Sequence, residues 1–344
     1  MAGMSLRDLV ASTGDAVSHT AIDRYESGVM LPDSAILSKM ATALKQPIDF
    51  FFRPLGVKLE GISFRKQSAL GKKAEASLRE FAADAVERLI EIEELSATAH
   101  PFKNPLGKIK ISTLDDAEKA AETLRKVWEL GSDAIPSVVE LLERKGIKVV
   151  EIEAPPTFSG LSAWANKDVP VIVLASWMEN KSVARKRLTA LHELAHLLLD
   201  DLIPETLPRK ERESIMDRFA GAVLIPQSTF REEFGAHRSS VFVSELIPLK
   251  CAYGISIAAI VKRAQQLGCI SDSAYKWFQI RNKTQTWKTN GEPGDERYRG
   301  NEQCRRLEQL VLRALAEEQI SQSKAAALLG KRVGDLWAEW KVEA

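Results

Sequence analysis

Along most of the chain the apolar positions recur every three or four residues, and in two short stretches they run together. The first pattern is that of amphipathic helices with one buried face; the second is that of covered strands. The first sixty residues hold three short helical runs that end on turn residues. Ser5 stands where an N-cap should, with Asp8 three residues on and Gly14 as the stop. The next run, Ser18 to Ser27, carries Ile22 and Tyr25 and ends at Gly28. After Pro32-Asp33-Ser34 a third turns Ile36, Leu37, Met40, Ala41 and Leu44 inward, and the unit closes at Pro47-Ile-Asp-Phe-Phe-Phe52. Arg65 to Leu95 reads as one long charged helix with a stripe of Leu78, Phe81, Ala85, Leu89 and Ile92. His100 to Gly107, with Pro101 and Pro105, marks a domain boundary.

Two further helices are expected, one carrying Ala117, Ala120, Ala121, Leu124, Val127 and Trp128, the other Val138, Val139 and Leu142. Strands follow at Ile147–Ile152 and at Val169–Ala175, the second a continuous apolar run of the kind found in a covered strand. From Ser182 to Asp200 the pattern is helical again. Thr284 to Gly300, rich in Thr, Lys, Gly and Glu, reads as an exposed linker before a helical unit from Asn301 to Trp340. Ile320 to Gly330 loosely echoes a helix-turn-helix. The fold class expected is α+β and predominantly helical: residues 1–64 a helix-turn-helix, 65–99 a connector helix, 100–283 a domain with a small sheet, and 284–344 a linker with a C-terminal helical unit.

Composition narrows the function classes. Across 344 residues, 48 Lys+Arg against 47 Asp+Glu leave a net charge of +1, which excludes bulk electrostatic binding to nucleic acid or membrane. A hydrophobic share of 45% and a charged share of 28% are those of a folded globular protein. The cysteines Cys251, Cys269 and Cys304 are odd in number and not in CxxC spacing, which fits a reducing compartment or a simple lack of selection for bridges, and they read as buried small hydrophobes. No run of about 18 apolar residues and no signal-peptide core occurs, which points to a cytoplasmic protein without a membrane partner.

The residues with the most chemistry are Leu191-His192-Glu193-Leu194-Ala195-His196-Leu197-Leu198-Leu199. On a helix, residues four apart share a face, so His192 and His196 can aim their imidazoles at one metal ion while Glu193 is turned aside as a general base. Two imidazoles and a carboxylate would leave a coordination position for water, the arrangement of a catalytic zinc site. The candidate third ligand is Glu213, with Asp217 at i+4 placed to hold a ligand histidine by its spare ring nitrogen. This Glu-x-x-x-Asp spacing resembles the gluzincin arrangement. Glu211 is the competing ligand, six residues from Asp217 and off that face. Hydrogen-bonded core histidines, or a decayed site that binds nothing, are the other readings of these residues. His237 and Tyr253 are candidates by residue type alone for stabilising a developing oxyanion.

The N-terminal residues Ser5-Leu-Arg-Asp-Leu, Ser18-His-Thr-Ala-Ile-Asp-Arg-Tyr-Glu-Ser-Gly28, Pro32-Asp33, Leu44 and Phe51-Phe52 resemble the XRE (Cro/C1-type) family of repressors. Members of that family usually carry a full helix ahead of the Ser-Leu-Arg stretch. Only four residues precede Ser5, which would leave Leu6 and Leu9 under-covered. With Phe158-Ser-Gly-Leu-Ser162, Arg187 through Leu199, Glu213 through Pro226, Tyr253-Gly-Ile-Ser256 and Arg263 through Gly268 added, residues 1 to 280 resemble ImmA/IrrE metallopeptidases with an N-terminal XRE module. The family often has a second acidic residue two before the Asp217 position, where this chain has Ile215. The resemblance implies a zinc-dependent endopeptidase that cleaves XRE-type repressors and so derepresses stress or mobile-element genes. His192, His196 and Glu213 would be the ligands and Glu193 the acid/base.

In the N-terminal module Ser18, His19, Thr20, Asp23 and Arg24 would face a DNA major groove. Residues 1–65 hold Arg7, Arg24, Lys39, Lys45, Arg53, Lys58 and Arg65 against Asp8, Asp15, Asp23, Glu26, Asp33, Asp49 and Glu60, a balance of zero. Such a module is expected to bind DNA weakly unless dimerised, so docking to protein is an alternative use. Arg65-Lys66 and Lys72-Lys73 could add phosphate contacts but read better as a solvated helix start. The rival from another class is a DNA-binding or antitoxin-like regulator whose metal domain is not catalytic.

Overall fold

The computed structural model describes residues 4–44, 46, 48–52, 56–64, 71–107, 109–298 and 300–342. In chain order the elements are α1 (Leu6–Ser12), α2 (His19–Glu26), α3 (Ser34–Leu44), β1 (Leu59–Phe64), α4 (Lys72–Leu95), α5 (Leu114–Val127), α6 (Val138–Arg144), β2 (Lys148–Ile152), β3 (Gly160–Ala165) and β4 (Val169–Ala175). There follow α7 (Trp177–Lys181), α8 (Val183–Leu199), α9 (Arg209–Leu224), α10 (Gln227–Phe234), α11 (Val243–Tyr253), α12 (Ile257–Gln266), α13 (Asp272–Arg281), α14 (Trp287–Asn290), α15 (Arg306–Ala316), α16 (Gln322–Leu329) and α17 (Val333–Val342). The fold is α+β and predominantly helical. No single helix among the described residues is long and apolar enough to cross a membrane.

Two compact units divide the chain: Met1–Lys58, Ala69–Ala99 and Arg305–Ala344 form one, Leu59–Ser68 and His100–Cys304 the other. In the first, α1 opens on a reciprocal capping box, Ser5 Oγ accepting from the Asp8 amide at 3.2 Å while the Asp8 carboxylate accepts from the Ser5 amide at 2.7 Å. The short helices α1 to α3 close on Leu9, Val17, Ile22 and Met40. Beside that small core lies an apolar groove of about 1050 Å³, with Leu6, Leu9, Tyr25, Leu37, Met40 and Phe51 among its walls. The long helix α4 buries Leu78, Ala82, Val86, Leu89 and Ile92 and packs on α15 and α16. The inward stripe is therefore rotated from the expected one, leaving Phe81 exposed. Ion pairs Glu93–Arg306 (2.6 Å) and Glu91–Lys324 tie α4 to the C-terminal helices. Arg65 and Lys66 lie outside the described residues, as do the side chains of Lys72 and Lys73.

The second unit is a four-stranded mixed sheet, in the order β1-β3-β4-β2, backed by helices. The β2–β4 pair is parallel; β3 runs antiparallel to both β4 and β1. Leu59–Phe64 thus pairs into this sheet, whereas the pattern had left it in the N-terminal module. Only six residues with a mid-strand glycine gave no periodic signal to read. Gly160 is required at the start of β3, where a Cβ would meet Thr189 Cγ2 and the Val173 carbonyl at 3.0 Å each.

Residues 284–304 also belong to this unit, which corrects the exposed-linker reading. Polar composition suggested solvent, yet Glu292 and Asp295 reach the wholly buried Lys250 at 3.1 and 2.5 Å, and Glu292 also accepts from the Ile257 and Ala258 amides that open α12. A buried ammonium needs such partners. Glu302, equally buried, pairs with Arg187 on α8 and accepts from the Val138 and Val139 amides at the start of α6. On the far side Glu118 of α5 receives Arg218 at 2.5 Å and Arg263 at 2.8 Å. Of the cysteines, Cys269 is buried while Cys251 and Cys304 are half-buried, and all three are free.

Candidate metal centre

Every residue from Thr189 to Leu199 on α8 is buried. Alanine and leucine favour the helix, Ser182 caps it by accepting from the Arg185 amide, and the apolar residues seat it under β3 and β4. The ionisable side chains carried into that interior are therefore His192, Glu193 and His196. Their burial costs solvation and must be offset by specific partners.

Those partners come from α9 and from the end of α8. His192 Nδ1 lies 2.8 Å from Asp217 Oδ1, and its Nε2 lies 3.4 Å from Glu213 Oε2. His196 Nδ1 lies 3.3 Å from Asp200 Oδ2, and Asp200 is held in turn by Arg212 at 3.2 Å. Each ring thus has a carboxylate at one nitrogen, which leaves Nε2 as the ligand atom facing inward. His192, His196 and Glu213 each bring a ligand atom within 4.8 Å of the others. A tetrahedral ion with bonds near 2.1 Å sets its ligands about 3.4 Å apart. The His192–Glu213 separation of 3.4 Å already meets that spacing.

The electrostatics suit a cation. The hydrogen bond from His192 holds the Glu213 carboxyl below its ordinary range, outweighing partial burial. Burial pushes Asp200 up, but His196 and Arg212 together bring it below the usual carboxylate value. Glu193 is not among the residues of this ligand cluster. It receives a hydrogen bond from Ser162 Oγ of β3 at 3.0 Å. Beside His196 a cavity of about 490 Å³ opens, lined also by Gly61, Ser162, Trp164, Lys167, Asp200 and Asp201.

Residues 142–265 match the Peptidase_M78 family, described as the IrrE N-terminal-like domain. No curated protein matches the chain. The M78 stretch contains β2 to β4 and both helices of the candidate centre, and it supports a metallopeptidase-type function for this domain.

Within the M78 domain the structure brings His192, Glu193, His196, Glu213 and Asp217 together, and Ile215, Met216 and Phe219 on α9 are buried. Glu211 is exposed and outside the ligand cluster. His237 is exposed in the loop after α10, and Tyr253 is packed at the end of α11. Sequence reasoning missed two site residues. Asp200 follows His196 by four, the same helical spacing that singled out Asp217 beside Glu213, so the signal was present. Ser162 carries no such helical signal, because it lies on a strand 31 residues before Glu193 and meets it only through the fold. In the other unit Ser18, His19, Thr20, Asp23 and Arg24 are exposed on α2, with Ser18 spent as its N-cap.

Proposed function

We propose that the chain is a zinc-dependent endopeptidase that cleaves a partner protein, an XRE-type transcriptional repressor, and so derepresses the genes that repressor holds. The observation that carries this reading is the convergence of His192, His196 and Glu213 with Glu193 beside them but free of the ligand set. His192, His196 and Glu213 would hold the ion, which when bound polarises a scissile carbonyl and acidifies water. Glu193 takes the proton from the attacking water and returns it to the leaving amine, with Ser162 fixing its carboxylate. Asp217 and Asp200 hold the two imidazoles in the orientation that directs Nε2 inward. Glu193→Gln is the test: the purified variant should bind zinc as the native chain does and fail to cleave an XRE-type repressor incubated with it. Retained cleavage would end the proposal.

A second reading concerns the N-terminal helices. Exposure of His19, Thr20, Asp23 and Arg24 on one short helix favours a docking surface, either for DNA or for the repressor itself. Gel shifts of the full chain across a salt series separate the two, since phosphate contacts weaken steeply with salt and a protein contact of balanced charge does not.

A further inference from the structure

One edge of the sheet beside the site is supplied from far away in the sequence. β3 packs on α8, and Ser162, midway along it, hydrogen-bonds Glu193. The edge of β3 that β4 leaves open is covered by antiparallel β1, with Ser63 opposite Ser162 and Phe64 opposite Leu161. The chain before Leu59 and after Ser68 folds with the other unit, so β1 is an excursion from it. Every residue of β3 except Trp164 is buried, whereas among Leu59, Glu60, Gly61 and Ile62 only Leu59 is. The ladder also breaks in mid-strand, where Gly61, at φ +61°, and Ile62 stand opposite Ala163 alone. Gly61 and Ser162 both line the cavity beside His196.

A polypeptide cut beside Glu193 has to lie extended, and backbone pairing with a sheet edge is the general way to hold an extended chain. We propose that the edge of β3 is the strand site for the polypeptide substrate and that β1 is its built-in occupant, an intramolecular competitor that the substrate displaces. The bulge at Gly61 interrupts the ladder, and among Leu59, Glu60, Gly61 and Ile62 only Leu59 is a buried anchor, which keeps β1 replaceable. This inference rests on the peptidase reading above.

Variants of the full chain test it. Leu59→Asp puts a charge at the buried anchor and empties the edge; Leu59→Cys with Ala165→Cys ties β1 to the residue opposite it on oxidation. Wild type oxidised in the same way controls for Cys251, Cys269 and Cys304. Hydrogen exchange of the β3 amides that face β1 should be about tenfold faster in Leu59→Asp than in wild type. The synthetic peptide Leu-Glu-Gly-Ile-Ser-Phe should slow it again, and should leave the oxidised double-cysteine protein unchanged. With zinc and a mixed decapeptide pool, Leu59→Asp should cut about fivefold faster than wild type, and the oxidised double variant about tenfold slower than its reduced form. If exchange in α8 shows that Leu59→Asp loosens the whole unit, Leu59→Gly replaces it. Protection of the β1-facing amides of β3 in the released variant, failure of the peptide to slow their exchange, or equal cutting by locked and reduced proteins overturns the proposal. Peptide capture without cutting in any form would instead overturn the peptidase reading and leave the strand site standing.

Discussion

The helices α1 to α3 and the helices α8 and α9 are built on opposite principles. The first group closes on buried apolar residues, among them Leu9, Val17, Ile22 and Met40, and its helices keep their polar residues on the surface. The second carries several polar residues inside and pairs them: His192 with Asp217, His196 with Asp200, Arg187 with Glu302 and Arg218 with Glu118. The difference teaches where each region can tolerate change. A surface built from exposed side chains can be rewritten residue by residue, whereas a buried polar set fails when one member is removed, because the other is left desolvated and unmatched.

The largest expected effect lies in the buried set. Glu193→Gln should lower peptide cleavage by about 10² to 10⁴-fold while metal content, read by atomic absorption, stays that of the native chain. Arg187→Met comes next: it strands the Glu302 carboxylate and should cost the second unit about 3 to 5 kcal/mol, measured by denaturant melting of that unit. Ile22→Ala should cost about 2 to 4 kcal/mol and melt only the N-terminal helices, leaving metal loading untouched. Equal loss of metal in Ile22→Ala would break the contrast between the regions.

Asp217→Asn should weaken metal binding by about 10 to 100-fold, and Asp200→Asn by less, since Asp200 sits farther from its histidine and is shared with Arg212. Acid sharpens the same point. Metal ligands must be deprotonated to bind, so acid should release the metal before it unfolds the chain. Asp116 is lowered first by the Ser112 amide and then by the Thr113 hydroxyl, and Asp200 is lowered on balance as well. A carboxyl depressed in the folded state stabilises above its unfolded value, near pH 4, and that stability goes as pH falls through the folded one. Chelator-dye release should thus precede loss of circular dichroism. The smallest effect is Ser5→Ala, about 1 kcal/mol of N-terminal stability, because the capping box it removes is exposed.

The site was more legible than the scaffold around it. His192, Glu193, His196, Glu213 and Asp217 lie on two helices, and helical spacing alone puts each on its face. The parallel pair β2 and β4 was readable from continuous apolar runs. The strands β3 and β1 were not, since Ser162, Trp164 and Gly61 interrupt their patterns and only non-local pairing makes them strands. The same holds for Glu292 and Asp295, whose composition reads as solvated until Lys250 is seen beneath them.

The matched stretch from 142 to 265 is a unit of descent but not a unit that could be cut out and kept. Four of its cations, Arg187, Arg218, Lys250 and Arg263, are neutralised by Glu118, Glu292, Asp295 and Glu302, all beyond its ends. A fragment trimmed to those limits would carry stranded positive charge in its interior, so any excision meant to isolate the hydrolytic centre has to retain α5 on one side and the chain through Glu302 on the other.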